Sequence, residues 1–123
     1  MKNIITILLI MIGLGVTGQV NAQEVQVIQL EQTEGEFDKK KLKLKAGELY
    51  QFEVLNNGVD HEVGFVIAPA GSTEQKDHIQ EAYLSKTIGD GMTASSGKVS
   101  LEAGEYVYFC PLNPTPQYKI LVK

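Results

Sequence analysis

The stretch LEAGEYVYFCPLNPTPQYKILV, residues 101 to 122, decides how this chain is read. Side chains of an extended strand alternate between two faces, so Tyr106, Tyr108 and Cys110 fall on one side of it. Pro111 lacks a backbone donor and ends strand pairing at that point. Residues 111 to 116 carry three of the four prolines in the chain, and Tyr118 to Val122 then resume an apolar alternation. The stretch therefore reads as two strands joined by a stiff loop. The only cysteine of the chain stands where the first strand stops.

The same period of two runs upstream. Val25 and Val27 mark a first strand, and Leu42, Leu44 and Ala46 alternate with Lys41, Lys43 and Lys45. Tyr50, Phe52 and Val54 take inner positions while Gln51 and Glu53 face out, and Asn56-Asn57-Gly58 signals a turn. His61, Val63, Phe65 and Ile67 share one side of the next strand, with His61 at its start. Lys98 to Leu101, Glu105 to Cys110 and Tyr118 to Val122 supply three more strands. Residues 68 to 96 break the pattern. Ser72 with Gln75 resembles a capping box, and Ile79, Ala82 and Tyr83 recur at helical spacing, which predicts one short helix over about 73 to 84. The glycine-rich loop IGDGMTASSG follows. Leu101, Gly104 and Tyr106 form L-x-x-G-x-Y, similar to the tyrosine corner of Greek-key sandwiches, where a tyrosine hydroxyl bonds back to the backbone just ahead of its strand. An ordinary core tyrosine after a turn is the other reading. The expected fold is all-β, an antiparallel Greek-key β-sandwich with one short inserted helix.

Residues 1 to 22 read as a signal peptide: Lys2 gives the positive start, Ile4 to Leu14 the apolar core and Val20-Asn21-Ala22 the small-residue cleavage site. An uncleaved anchor is the competing reading. The remaining 101 of 123 residues, 23 to 123, suit one exported domain, periplasmic or secreted, without stable membrane insertion. Fifteen Asp and Glu outweigh eleven Lys, and there is no arginine. Arginine is the residue best suited to bidentate recognition of phosphates and bases, so nucleic acid is not an expected partner. Cys110 has no internal disulfide partner and reads as a metal ligand, a partner site or a small buried hydrophobe. No Ser/His/Asp set, no paired carboxylates on one element and no phosphate loop appears, so the chain does not read as an enzyme.

If the strand ending at Cys110 and the strand starting at His61 run antiparallel, thiolate and imidazole share a pole, and that donor pair suits copper or zinc. Two blocks, LKAGELYQFEVLNNGVDHEVGFVI (44 to 67) and GKVSLEAGEYVYFCPLNPTPQYKILV (97 to 122), resemble the cupredoxins, small exported copper proteins of electron transfer. The resemblance implies the cupredoxin-type sandwich, copper as cofactor, His61 as first ligand and Cys110 as second. Family members follow the cysteine with a histidine and then a methionine or glutamine. Here neither His nor Met follows Cys110; Gln117 stands where the second histidine is expected, and Asn113 is the other polar residue of the loop. An amide oxygen serves copper only as a weak axial donor. Met92, otherwise a loop residue, is a further candidate from outside the motif, whereas His78 reads as a solvated surface histidine and Glu62 points away by parity. The resemblance thus implies an atypical site for electron transfer or Cu(I) carriage, with a redox or copper-delivery protein as partner. The alternative is a metal-free binding or structural module that has lost the copper site. The lysines from 39 to 45 read as the outer face of a strand that deters edge pairing, or as a docking patch for an acidic partner.

Overall fold

A computed structural model describes residues 24 to 113 and 115 to 123. The expected signal peptide, residues 1 to 22, lies outside them. Among the described residues eight strands follow in chain order: β1 (Val25–Thr33), β2 (Glu36–Phe37), β3 (Lys41–Leu44), β4 (Leu49–Asn56), β5 (Val66–Pro69), β6 (Thr93–Val99), β7 (Gly104–Phe109) and β8 (Tyr118–Val122). They form two four-stranded sheets, ordered β2-β1-β4-β6 and β3-β8-β7-β5. The chain passes from one sheet to the other at each step from β2 to β7, as in a sandwich. The sandwich is not antiparallel throughout: β1 with β4 and β3 with β8 are parallel pairs, because each joins strands that reach the same sheet by crossing the other; the other ladders are antiparallel.

Alternation explains the core. Tyr50, Phe52 and Val54 of β4 are at most 5% exposed, while Gln51 and Glu53 lie on the open side. Phe37, on the two-residue strand β2, is fully buried and meets Tyr108 edge-on with ring centroids 5.3 Å apart. Phe65, Phe52 and Tyr118 complete this aromatic centre. Such edge and offset contacts add roughly 0.5–1.5 kcal/mol per pair beyond area burial. The hydroxyl of Tyr108 donates to Lys39 O, and that of Tyr118 accepts the Phe37 N–H at 3.4 Å. The tyrosine corner is present: the Tyr106 hydroxyl donates to Glu102 O at 3.0 Å. Among the described residues no helix is long and apolar enough to cross a membrane.

Four local expectations change. The helix over 73 to 84 is two 3₁₀ turns, Gln75–Asp77 and Gln80–Ala82, and neither has a side-chain cap. Its backbone bonds outward instead, with Ile79 N–H donating to Ile67 O at 2.8 Å, so the segment follows the sheet edge. Half of the glycine-rich loop is strand: β6 begins at Thr93 and pairs with β4. Small residues suit it there, because Ser96 Oγ accepts the Phe52 N–H at the irregularity between Gln51 and Glu53. A Cβ on Gly97 would lie 3.0 Å from Glu81 O, so a larger residue there requires the Glu81 backbone to give way. Ala46 lies exposed beyond the end of β3. Finally, β5 begins at Val66, which leaves His61 in a bend ahead of the strand.

Two measurements check this frame. Tyr106→Phe removes the corner bond and should cost about 1 kcal/mol, lowering the melting temperature by roughly 4–8 °C for a domain of this size. Burial pushes the Tyr108 phenol well above its ordinary value, and Tyr118 and Asp38 act in the same direction. An unfolded phenol ionises near pH ~10, so the stability tied to a neutral Tyr108 is complete below that pH and declines above it. Urea unfolding across alkaline pH should show that decline, and Tyr108→Phe should flatten it.

Candidate functional site around Cys110

The antiparallel register of β5 and β7 pairs Val66 with Phe109. Cys110, one residue further, therefore lies beside the segment that enters β5, and the Gly64 N–H reaches its Sγ at 3.3 Å. The chain turns at Pro111 and brings two more donors back to the same sulfur, the N–H groups of Leu112 (3.4 Å) and Asn113 (3.1 Å). The Cys110 N–H itself donates to Thr115 Oγ1 at 3.2 Å. Cys110 is 4% exposed. Three converging amides place the positive ends of their dipoles on one atom, the arrangement by which backbone binds an electron-rich centre.

A second buried network fastens the same loop. The Asn113 side chain, 2% exposed, accepts the Gly35 N–H on Oδ1 at 3.2 Å. Its Nδ2 donates to Gln32 Oε1 at 2.9 Å and to Thr33 O at 3.0 Å. Gln32, fully buried, donates in turn to Gly64 O at 3.2 Å. The amide chain therefore ends on the residue whose N–H holds the sulfur. Asn56 pairs in register with Gln32 and does similar work nearby, donating to the carbonyls of Val59, His61 and Ile88 and accepting the Val59 N–H. Gln32 is a site residue that no sequence motif marks. Its signal is parity: Ile28, Leu30 and Gln32 share a face, and a polar residue on an apolar face needs buried partners.

The other candidates are arranged differently. His61 is exposed, and its Nδ1 donates to Glu62 O at 2.9 Å, which leaves the Nε2 lone pair free for a ligand. Three extended residues span at most about 10 Å, so His61 belongs to the pole of Gly64 and Cys110, although no hydrogen bond joins it to the sulfur. Met92 is 49% exposed, and its carbonyl accepts the Asn56 N–H at this pole. Gln117 is exposed just ahead of β8. His78 is packed rather than solvated: Nδ1 accepts the Tyr83 hydroxyl at 2.7 Å, Nε2 donates to Thr73 O at 3.1 Å, and the ring meets Phe109 edge-on. Glu62 turns outward to accept the Thr87 hydroxyl. Among the described residues, no three or more His, Cys, Asp or Glu side chains form a group able to hold a metal.

The model of the cupredoxin-like domain matches residues 4 to 122. The chain belongs to the cupredoxin-like family. Solved cupredoxins share its architecture at low identity. Auracyanin A, a blue copper protein from Chloroflexus aurantiacus, superposes with a TM-score of 0.65 at 18% identity, covering 81% of this chain and 100% of its own. Auracyanin B gives 0.66 at 14% identity, with 85% and 93% covered. Auracyanin from Roseiflexus castenholzii gives 0.62 at 16% identity, with 83% and 99% covered. No curated protein matches the chain by sequence. At these identities the likeness establishes the cupredoxin fold.

Whether copper suits this pole is a question of donors. Sulfur and imidazole nitrogen are donor types that copper accepts. A blue-copper set with two imidazoles does not form here, because His78 is committed to Tyr83 and Thr73. The amide of Asn113 is likewise spent on Gly35, Gln32 and Thr33. Asn113→Ala strands Gln32 Oε1 and the Gly35 N–H, and should cost about 2–4 kcal/mol in urea unfolding with an unchanged m value.

Proposed function

We propose that this cupredoxin is an exported, non-enzymatic copper protein that holds Cu(I) through the Cys110 thiolate and the His61 imidazole, with Met92 or Gln117 as a weak further donor. The observation that carries the reading is the set of three amide donors on Cys110 Sγ. Such donors hold the sulfur in one place, and sulfur is the soft donor that suits Cu(I). A Glu62 carbonyl on Nδ1 of His61 is the outer contact that orients a ligating imidazole. Bound copper would supply one-electron chemistry or serve as cargo, delivered to or received from a redox or copper-handling protein. The protein's own part is positional: Gly64, Leu112 and Asn113 fix the sulfur, and the Gln32–Asn113 bridge fixes the loop that bears it. Export rests on the signal peptide read in residues 1 to 22.

A second reading has its own support. The Gln32–Asn113 bridge already ties the loop to β1 without a metal, as a metal-free binding module would require. Competition for Cu(I) against a chromogenic chelator separates the two. Under the copper reading one Cu(I) binds per chain, Cys110→Ser abolishes binding, His61→Ala weakens it and Gln117→His strengthens it. A native-state ligand at a hundredfold excess over its Kd also raises stability by about 2.7 kcal/mol. Absence of both binding and thermal stabilisation selects the metal-free module.

A further inference from the structure

The outer surface of the β3-β8-β7-β5 sheet is divided in two. Val66, Ala68 and Val107 are buried there by parity, outside the main core, under the segment that carries His78 against Phe109. The β3-β8 half is bare. Leu42, Leu44, Ile120 and Val122 point inward, so Lys41, Lys43 and Lys119 point out, and Lys41 is the register partner of Lys119. Lys45 and Lys123 continue the two rows, joined where the Lys123 N–H donates to Leu44 O. All five lysines are exposed.

Strands lie about 4.8 Å apart and alternate residues about 7 Å apart, so five cations share a small flat face. Among the described residues the ion pairs are Lys39–Asp38 and Lys40–Glu36, and none of the five takes part in one. Glu105 of β7, across Leu121, is the nearest acid in the register. This concentration of positive charge sits on a chain whose net charge is −4. Unpaired like charges on adjacent strands repel one another, and an anionic partner relieves that repulsion.

We infer that the β3-β8 face is the docking surface for an acidic protein surface. Lysines alone, without arginine, give diffuse and reversible attraction rather than fixed bidentate contacts. An anionic membrane fits less well, because durable attachment takes a second, apolar signal beside the basic patch. Among the described residues the exposed large hydrophobic ones, Val27, Met92 and Leu112, lie elsewhere. The rows start beside Tyr118, at the end of the sheet that carries Cys110, so a partner seated here borders the candidate site.

The test uses the isotopically labelled protein, a decaglutamate peptide as the acidic probe and phosphatidylglycerol vesicles as the lipid arm. Peptide-induced amide shifts should map to β3 and β8 and fade with added salt. The triple variant Lys41→Glu, Lys43→Glu, Lys119→Glu should bind the peptide at least roughly tenfold more weakly, while Lys76→Glu, Lys86→Glu, Lys98→Glu should bind as the parent does. Equal losses in both triples, shifts away from β3 and β8, binding to vesicles without binding to peptide, or self-association removed by the first triple would each overturn the inference. Circular dichroism of both triples verifies that the fold is kept.

Discussion

The pole of this sandwich depends on one buried sulfur and the three amides that converge on it. Cys110 ends β7, and its Sγ draws in Gly64 from the approach to β5 and Leu112 and Asn113 from the loop that leaves β7. Each bond to sulfur is weak by itself, but their donors come from two separate segments, so together they fix the direction in which the loop departs. The Gln32–Asn113 amide pair extends that hold to the opposite sheet through β1. Buried polar groups of this kind are costly to leave unpaired. A network in which every member is paired therefore selects one loop conformation among many.

Much of the fold is legible in the sequence because alternation and tertiary burial agree. The inner faces of β4, β7 and β8 and the corner formed by Tyr106 follow from parity and turn chemistry alone. The failures share a cause, which is that tertiary contacts override local pattern. Phe37 anchors the aromatic centre from a strand two residues long, too short to show a period. β6 is built from small polar residues whose place in the sheet comes from pairing with β4 rather than from hydrophobicity. The helical spacing of Ile79, Ala82 and Tyr83 is genuine but breaks into 3₁₀ turns, because the Ile79 backbone bonds to β5.

The site is legible to a smaller extent. Cys110 and Asn113 stand out by residue type and by the prolines around them. Parity from Phe65 back to His61 assumes a continuous strand, whereas the chain bends before Val66 and leaves His61 exposed while Val63 is buried. Gln32 is distant in sequence and carries no motif, and only its place on an apolar face betrays it. The family resemblance supplies the architecture, and the side chains around the sulfur decide how far the family's chemistry carries over. They leave one cysteine sulfur, one imidazole and a loop fastened by amides.

Amide hydrogen exchange is the most direct test of the sulfur-centred network. In the parent protein the amides of Gly64, Leu112 and Asn113 should exchange slowly, and in Cys110→Ala all three should lose protection together while β4 keeps its own. Rapid exchange of the three in the parent, or protection unchanged in Cys110→Ala, would contradict the account.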